Sequence, residues 1–173
     1  MSEQVKHKNR NHKTYNAAKT EKLSKKTGCL KDLQGFLETE GCTENEILRD
    51  CPQILVIGLD EVKKLHHKQE RIKSCDMGFM TNNNQFQLVE CKYRIINPEN
   101  LRDKDIADKV TDSRKLMVSY DITNFTTQSV FLFHSNYTAR AIAKINRLYP
   151  IRKGNKEQVY KAMNTKDFLS TYF

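Results

Sequence analysis

Glu90 and Lys92 flank Cys91, and Asp76 stands upstream of them in the same short stretch of chain. The run 85–94, QFQLVECKYR, is strand-like, with Phe86, Leu88 and Val89 as its apolar members. Side chains alternate along a strand, so Glu90 and Lys92 project from one face, and Val89, Cys91 and Tyr93 from the other. Burying such charges in an apolar strand is costly unless they find a partner or a metal. The run 71–80, RIKSCDMGFM, is also strand-like, and Thr81-Asn82-Asn83-Asn84 lies between the two. Asn tolerates positive φ and forms hairpin turns. A hairpin centred on Asn83 sets Asp76 opposite Glu90, with Cβ atoms ~4.5–5.5 Å apart. Two carboxylates at that distance favour a shared proton or a bound cation. A hard divalent ion such as Mg²⁺ uses one or two carboxylates with water and phosphate oxygens. Lys92 would then stand beside it, able to stabilise a pentavalent phosphate or help deprotonate water. Gly78, on the face of Asp76, would leave room for a phosphate.

At these residues, KSCDMGFMTNNNQFQLVECKYR resembles the core of the PD-(D/E)XK nuclease superfamily, the restriction-endonuclease-like fold. Asp76 matches the first acid of its motif, Glu90 the second and Lys92 the lysine. Cys75 replaces the proline of the motif name, a common variation. The resemblance covers roughly residues 70–135. It implies a four-stranded mixed sheet ordered αβββαβ and divalent-metal hydrolysis of phosphodiesters with Mg²⁺ or Mn²⁺. It further implies that Asp76, Glu90 and the main-chain carbonyl of Cys91 hold the metal, while Lys92 positions or activates water. Many members add a glutamate on the first helix, for which Glu61 and Glu70 are the candidates. The Gln-x(3)-Tyr signature of one exonuclease-like branch is absent after Lys92.

Stepwise periodicity supplies the elements around the hairpin. Leu30, Leu33, Phe36 and Leu37 predict a helix over about 28–39. Thr43 and Glu46 form a capping-box pattern that starts another helix. Residues 51–66 contain the run Ile54–Ile57, which suits a strand or a helix. The spacing of Leu55, Leu59, Val62 and Leu65 and the placement of Pro52 favour helix. Asn97-Pro98-Glu99 begins a helix reaching Leu116 or Met117, with Leu101, Ile106, Val110 and Met117 inward. Ser129–His134, SVFLFH, suits a strand buried on both faces. Tyr137–Tyr149 is an amphipathic helix with Ala141, Ile142, Ile145 and Leu148 on one side, and Pro150 stops it. A strand, a crossover helix and another strand imply a parallel pair and an α/β sheet flanked by helices. The expected organisation is a basic arm or frayed helix over 1–20, one nuclease-like domain over 21–150, and a basic extension over 151–173 packed on it.

The net charge of +9 is concentrated at the two ends. Residues 1–31 hold nine Lys or Arg against two acids, and residues 140–166 hold eight against one. Arg140, Lys144 and Arg147 form one helix stripe, and with Arg152 and Lys153 they could track a phosphate backbone. Basic ends around a more acidic middle suit a polyanionic partner, DNA ahead of RNA. Five cysteines without a CxxC pair argue against a disulfide framework or a structural zinc site. His66, His67 and His134 lack HxxxH or HExxH spacing, and neither GxxxxGK nor GxGxxG occurs. No apolar leader or membrane-length run is present, so the expected location is cytoplasmic. The sequence therefore points to a metal-dependent nuclease. The alternative is a nucleic-acid-binding or adaptor protein on the same fold that cuts nothing. Cutting both strands of a duplex would need two such domains, which leaves room for a homodimer.

Overall fold

In the computed structural model the described residues are Leu23, 28–64, 72–151 and 158–173. The basic arm, His66, His67, Glu70, Arg152 and Lys153 lie outside them. The described residues form an α/β fold around one six-stranded mixed sheet, whose strands lie side by side in their order along the sequence. Strands β1 (Leu30–Asp32), β2 (Leu55–Gly58), β3 (Met77–Met80) and β4 (Phe86–Cys91) are successively antiparallel. Strands β5 (Ser129–Phe133) and β6 (Tyr160–Asn164) continue the sheet in parallel with β4.

The expected four strands become six because the two edge strands are weakly signalled. β1 is three residues long and half-buried, and Asp32 ends it by capping helix α1 (Leu33–Thr39), accepting from the Gly35 amide at 2.9 Å. The helix expected over 28–39 is thus a strand and then a helix. β6 carries the exposed Lys161 beside buried Ala162 and Met163, a short and basic pattern that does not stand out as a strand.

Residues 51–66 are a second correction. β2 occupies 55–58, and only then does helix α3 (Leu59–Lys64) begin. β2 lies between β1 and β3 and buries Val56 and Ile57 completely. A central strand needs a continuous apolar run, which carries no period to separate it from a helix. The proposed capping box does not form either. Helix α2 (Asn45–Arg49) starts after Glu44, which makes no side-chain cap bond to it.

The hairpin has the expected register, with Met77 opposite Val89 and Met80 opposite Phe86. A 3₁₀ turn at Pro98–Asn100 leads into helix α4 (Asp103–Val118), which buries Ile106, Val110 and Met117. All five residues of β5 are buried. Helix α5 (Ser135–Leu148) buries Ala141 and Ile145 but leaves Ile142 41% exposed. Helix α6 (Thr165–Tyr172) is capped by Asn164, which accepts from the Asp167 amide at 2.8 Å.

Alternation along the strands places the helices on the two faces. Phe79 packs its ring against Phe168, Tyr172 and Phe173, so α6 and the C-terminus cover the Met77–Phe79 face. Glu90 and its cross-strand partner Phe131 lie on the other face, where Lys109 of α4 meets Glu90. Among the described residues no helix is long and apolar enough to cross a membrane.

Candidate active site

The hairpin register carries Asp76 to the position opposite Glu90, one residue before β3 begins. There the Cys91 amide donates to Asp76 Oδ2 at 2.6 Å. Cys91 thus enters the site through its main-chain N–H, which fixes the orientation of the Asp76 carboxylate. Glu90 is 1% exposed, and its Oε1 receives the Lys92 ammonium at 2.6 Å. The Lys92 amide donates to Leu132 O at 2.7 Å, so the ladder to β5 extends past the end of β4 and holds Lys92 beside Glu90. Asp76, Glu90 and Lys92 are therefore brought together, as their spacing predicted.

A residue that the sequence reading did not single out joins them. Lys109 Nζ of α4 lies 2.5 Å from Glu90 Oε1 and 3.9 Å from Asp76 Oδ1, so one ammonium touches both acids. The segment before Asp76 docks α4 in this position. The Lys73 amide donates to Asp112 Oδ2 at 3.3 Å, and the Cys75 amide donates to Ser113 Oγ at 2.7 Å. Lys73 Nζ also meets Asp108 at 3.2 Å. Lys109 sits between Ile106 and Val110, both buried, and that location on an inward face was the available sequence signal.

Burial and, after it, the Glu90 charge push the Asp76 carboxyl up to about 7, against the pull of Lys109 and of the Cys91 amide. Burial alone would lower the pKa of Lys109, but the Glu90 and Asp76 charges outweigh it and hold the ammonium above its ordinary value. Glu40, the residue that caps the C-terminus of α1, is a further acid acting on this cluster. Burial raises its carboxyl; Arg94 opposes the rise, while Asp60 and Glu90 add to it. Its position at a helix end, with no motif around it, gave no signal in the sequence. Glu61, in contrast, is held by Lys64 at 2.9 Å and Lys31 at 3.8 Å, and its neighbour Asp60 accepts from Ser74 Oγ at 2.7 Å.

Two expectations about nearby space and charge need revision. A Cβ at Gly78 would lie 2.4 Å from Cε1 and Cζ of Phe86, so that ring already fills the room expected for a phosphate. The stripe of Arg140, Lys144 and Arg147 does run along α5, but it converges on the 3₁₀ turn. Arg147 Nη2 meets Glu99 Oε2 at 2.5 Å, Lys144 lies 3.8 Å from the same oxygen, and Arg140 donates to Asn97 Oδ1 at 2.9 Å. The His134 ring lies 5.3 Å from that of Tyr93, tilted at 60° to it, and His134 stands at the start of α5.

A second polar cluster lies at the C-terminal ends of the parallel strands. The Ser135 amide donates to Glu44 Oε1 at 3.0 Å, the Ser135 hydroxyl donates to the same oxygen, and Thr165 Oγ1 donates to Oε2 at 2.8 Å. Glu44 thereby ties together the starts of α5 and α6, which explains why it does not cap its own helix.

Compared with protein-family models, curated proteins and solved structures, the chain matches none. Among the described residues no group of three or more His, Cys, Asp or Glu side chains is arranged as a metal cage. Two carboxylates are nevertheless a sufficient protein donor set for Mg²⁺, which keeps several waters. Glu90 Oε2 is buried without a hydrogen-bond partner, and such an atom is costly unless something satisfies it. The donor set and this oxygen fit a hard divalent cation.

Proposed function

We propose that the protein is a divalent-metal-dependent nuclease that hydrolyses phosphodiester bonds in nucleic acid, DNA ahead of RNA. The observation that carries this reading is the Asp76–Glu90 pair, Asp76 half-buried and Glu90 buried, with Lys92 on Glu90 and Glu90 Oε2 without a partner. The order helix, β2, β3, β4, α4, β5, with the short α3 inserted between β2 and β3 and with antiparallel pairs followed by a parallel one, supports a restriction-endonuclease-like core within the larger sheet. On this reading Asp76, Glu90 and the Cys91 carbonyl would hold Mg²⁺ or Mn²⁺. When bound, the ion would supply Lewis-acid polarisation of the phosphate and an acidified water. Lys92, anchored on Glu90, would orient the attacking water and offset the negative charge that develops on the phosphorane oxygens. Asp76 is kept in place by the Cys91 amide. Among the described residues Glu40 joins Glu61 as a candidate additional acid, because its charge acts on Asp76, while Glu70 lies outside them.

The test is cleavage of single- and double-stranded DNA and RNA with Mg²⁺, Mn²⁺ or EDTA, by the wild type, Asp76→Ala and Lys92→Ala. Metal-dependent cutting lost in both variants supports the reading and names the substrate. Nucleic-acid binding by all three proteins with no cutting overturns it.

A second reading is a nucleic-acid-binding protein without catalysis. It is favoured by Lys109, whose contacts to Glu90 and Asp76 make the cluster a set of ion pairs balanced within the protein. It predicts salt-dependent retention of nucleic acid that EDTA does not alter.

A further inference from the structure

Glu90 Oε1 carries two ammonium groups, from Lys92 at 2.6 Å and Lys109 at 2.5 Å, while its other oxygen is buried and has none. A single ammonium satisfies that oxygen's charge, so the second needs a different reason. Lys109 is the one of the two that also faces Asp76, at 3.9 Å. It comes from a separate element, α4, and its side chain is 26% exposed against 15% for Lys92. A lysine head on a four-carbon stem with one side open to water can leave a carboxylate without moving its helix.

We propose that Lys109 is the resident counter-cation of the Asp76–Glu90 pair, and that a divalent ion takes this pair only by displacing the Lys109 ammonium. The inference rests on the assignment of a metal to these two acids. A divalent ion held by both carboxylates would meet the Lys109 ammonium in the gap it occupies between Glu90 and Asp76 and repel it strongly, whereas the released ammonium regains water at the exposed end of its side chain. Lys109 therefore has opposite effects on the two states. It stabilises the metal-free protein by neutralising two neighbouring carboxylates, and it weakens metal binding by the interaction that must be given up.

The test is calorimetric titration of Mn²⁺ into the metal-stripped full chain, comparing wild type, Lys109→Met and Lys109→Gln, with thermal melts in EDTA and in Mn²⁺. Both variants should melt lower than wild type in EDTA, bind Mn²⁺ at least about ten-fold tighter, and gain more in Tm from Mn²⁺. A purely structural lysine would lower the EDTA melt without tightening Mn²⁺ binding. In wild type, which avoids any folding defect, Mn²⁺ should speed acylation of Lys109 by a soluble amine-reactive ester, read by mass spectrometry. Unchanged or weaker Mn²⁺ affinity in folded variants, or slower Lys109 acylation with Mn²⁺, overturns the proposal. If Asp76→Asn abolishes Mn²⁺ binding that Lys109→Gln leaves unchanged, the metal assignment survives and the role of Lys109 does not. If neither wild type nor the variants bind Mn²⁺, both fall together.

Discussion

The main-chain amide of Cys91 donates to Asp76 Oδ2 at 2.6 Å, which ties the last residue of β4 to the residue that leads into β3. This bond extends the hairpin by one step beyond its backbone ladder and holds a carboxylate next to another one in a place largely closed to water.

That placement has a pH signature. The Asp76 carboxyl has a value of about 7 in the fold against 3.8 ordinarily, so the folded protein binds this proton more tightly than the unfolded chain does. The stability it confers is fully present below the ordinary value and is lost as pH rises through about 7. In EDTA, Asp76→Asn should therefore melt above wild type at pH 8 by roughly 2–4 °C or more, and the gap should shrink at pH 5.5. Asn keeps an oxygen for the Cys91 amide, so the comparison isolates the charge. Calorimetric melts at the two pH values decide it, and a gap independent of pH would show that the Asp76 charge is not the cause.

Glu44 should show the opposite trend. Burial would raise its carboxyl, but hydrogen bonds from Ser135 and Thr165 outweigh that and hold it below the ordinary value of 4.5. Its contribution is present above that value and is lost as pH falls through the lowered one. Glu44→Gln should cost about 1–2 kcal/mol at pH 7, because a charge at the starts of α5 and α6 is removed. Urea denaturation at pH 7 and pH 3.5 should show the gap between the two proteins closing in acid.

Gly78→Ala should destabilise the fold by ~1–3 kcal/mol through overpacking against the Phe86 ring. An added Cβ would approach Phe86 Cζ to 2.4 Å and Gln87 O to 3.0 Å. Shortening the ring should relieve the clash, so Gly78→Ala in a Phe86→Leu background should cost measurably less. Additive costs in that double-mutant cycle would locate the strain elsewhere.

The proposed binding of nucleic acid through α5 can be tested by salt dependence. Replacing Arg140, Lys144 and Arg147 together by Ala should weaken DNA retention and reduce the slope of log affinity against log salt by roughly 2–3. Glu99 holds Arg147 and Lys144 in the free protein. Glu99→Gln should accordingly strengthen binding, and an unchanged slope in the triple variant would remove α5 from the interface.

The hairpin was legible because a run of turn-forming residues separates two strand-like segments, which fixes both register and the Asp76–Glu90 opposition. β5 was legible from its unbroken apolar run and the body of α4 from the spacing of Ile106, Val110 and Met117, but the start expected at Asn97-Pro98-Glu99 is a separate 3₁₀ turn and α4 begins only at Asp103. β2 was not, because Ile54–Ile57 followed by Leu59 and Val62 satisfies a helix and a central strand equally well. β1 and β6 are short edge strands whose side chains have little to alternate between. Lys109 reaches the site by tertiary packing of α4, which no spacing within the hairpin encodes. The charged stripe on α5 was visible, but its engagement by Glu99 depends on how the 3₁₀ turn meets the helix.

The succession of β1 to β6 across the sheet, identical to their succession along the chain, has a consequence for biosynthesis. Each strand pairs with one that has already left the ribosome, so the sheet can be extended edge by edge without waiting for distant sequence. Contacts of this local kind favour rapid folding. Asp76, Glu90 and Lys109 all precede β5, whereas Lys92 is held beside Glu90 by its bond to Leu132, so the charged cluster is complete only once β5 has joined the sheet.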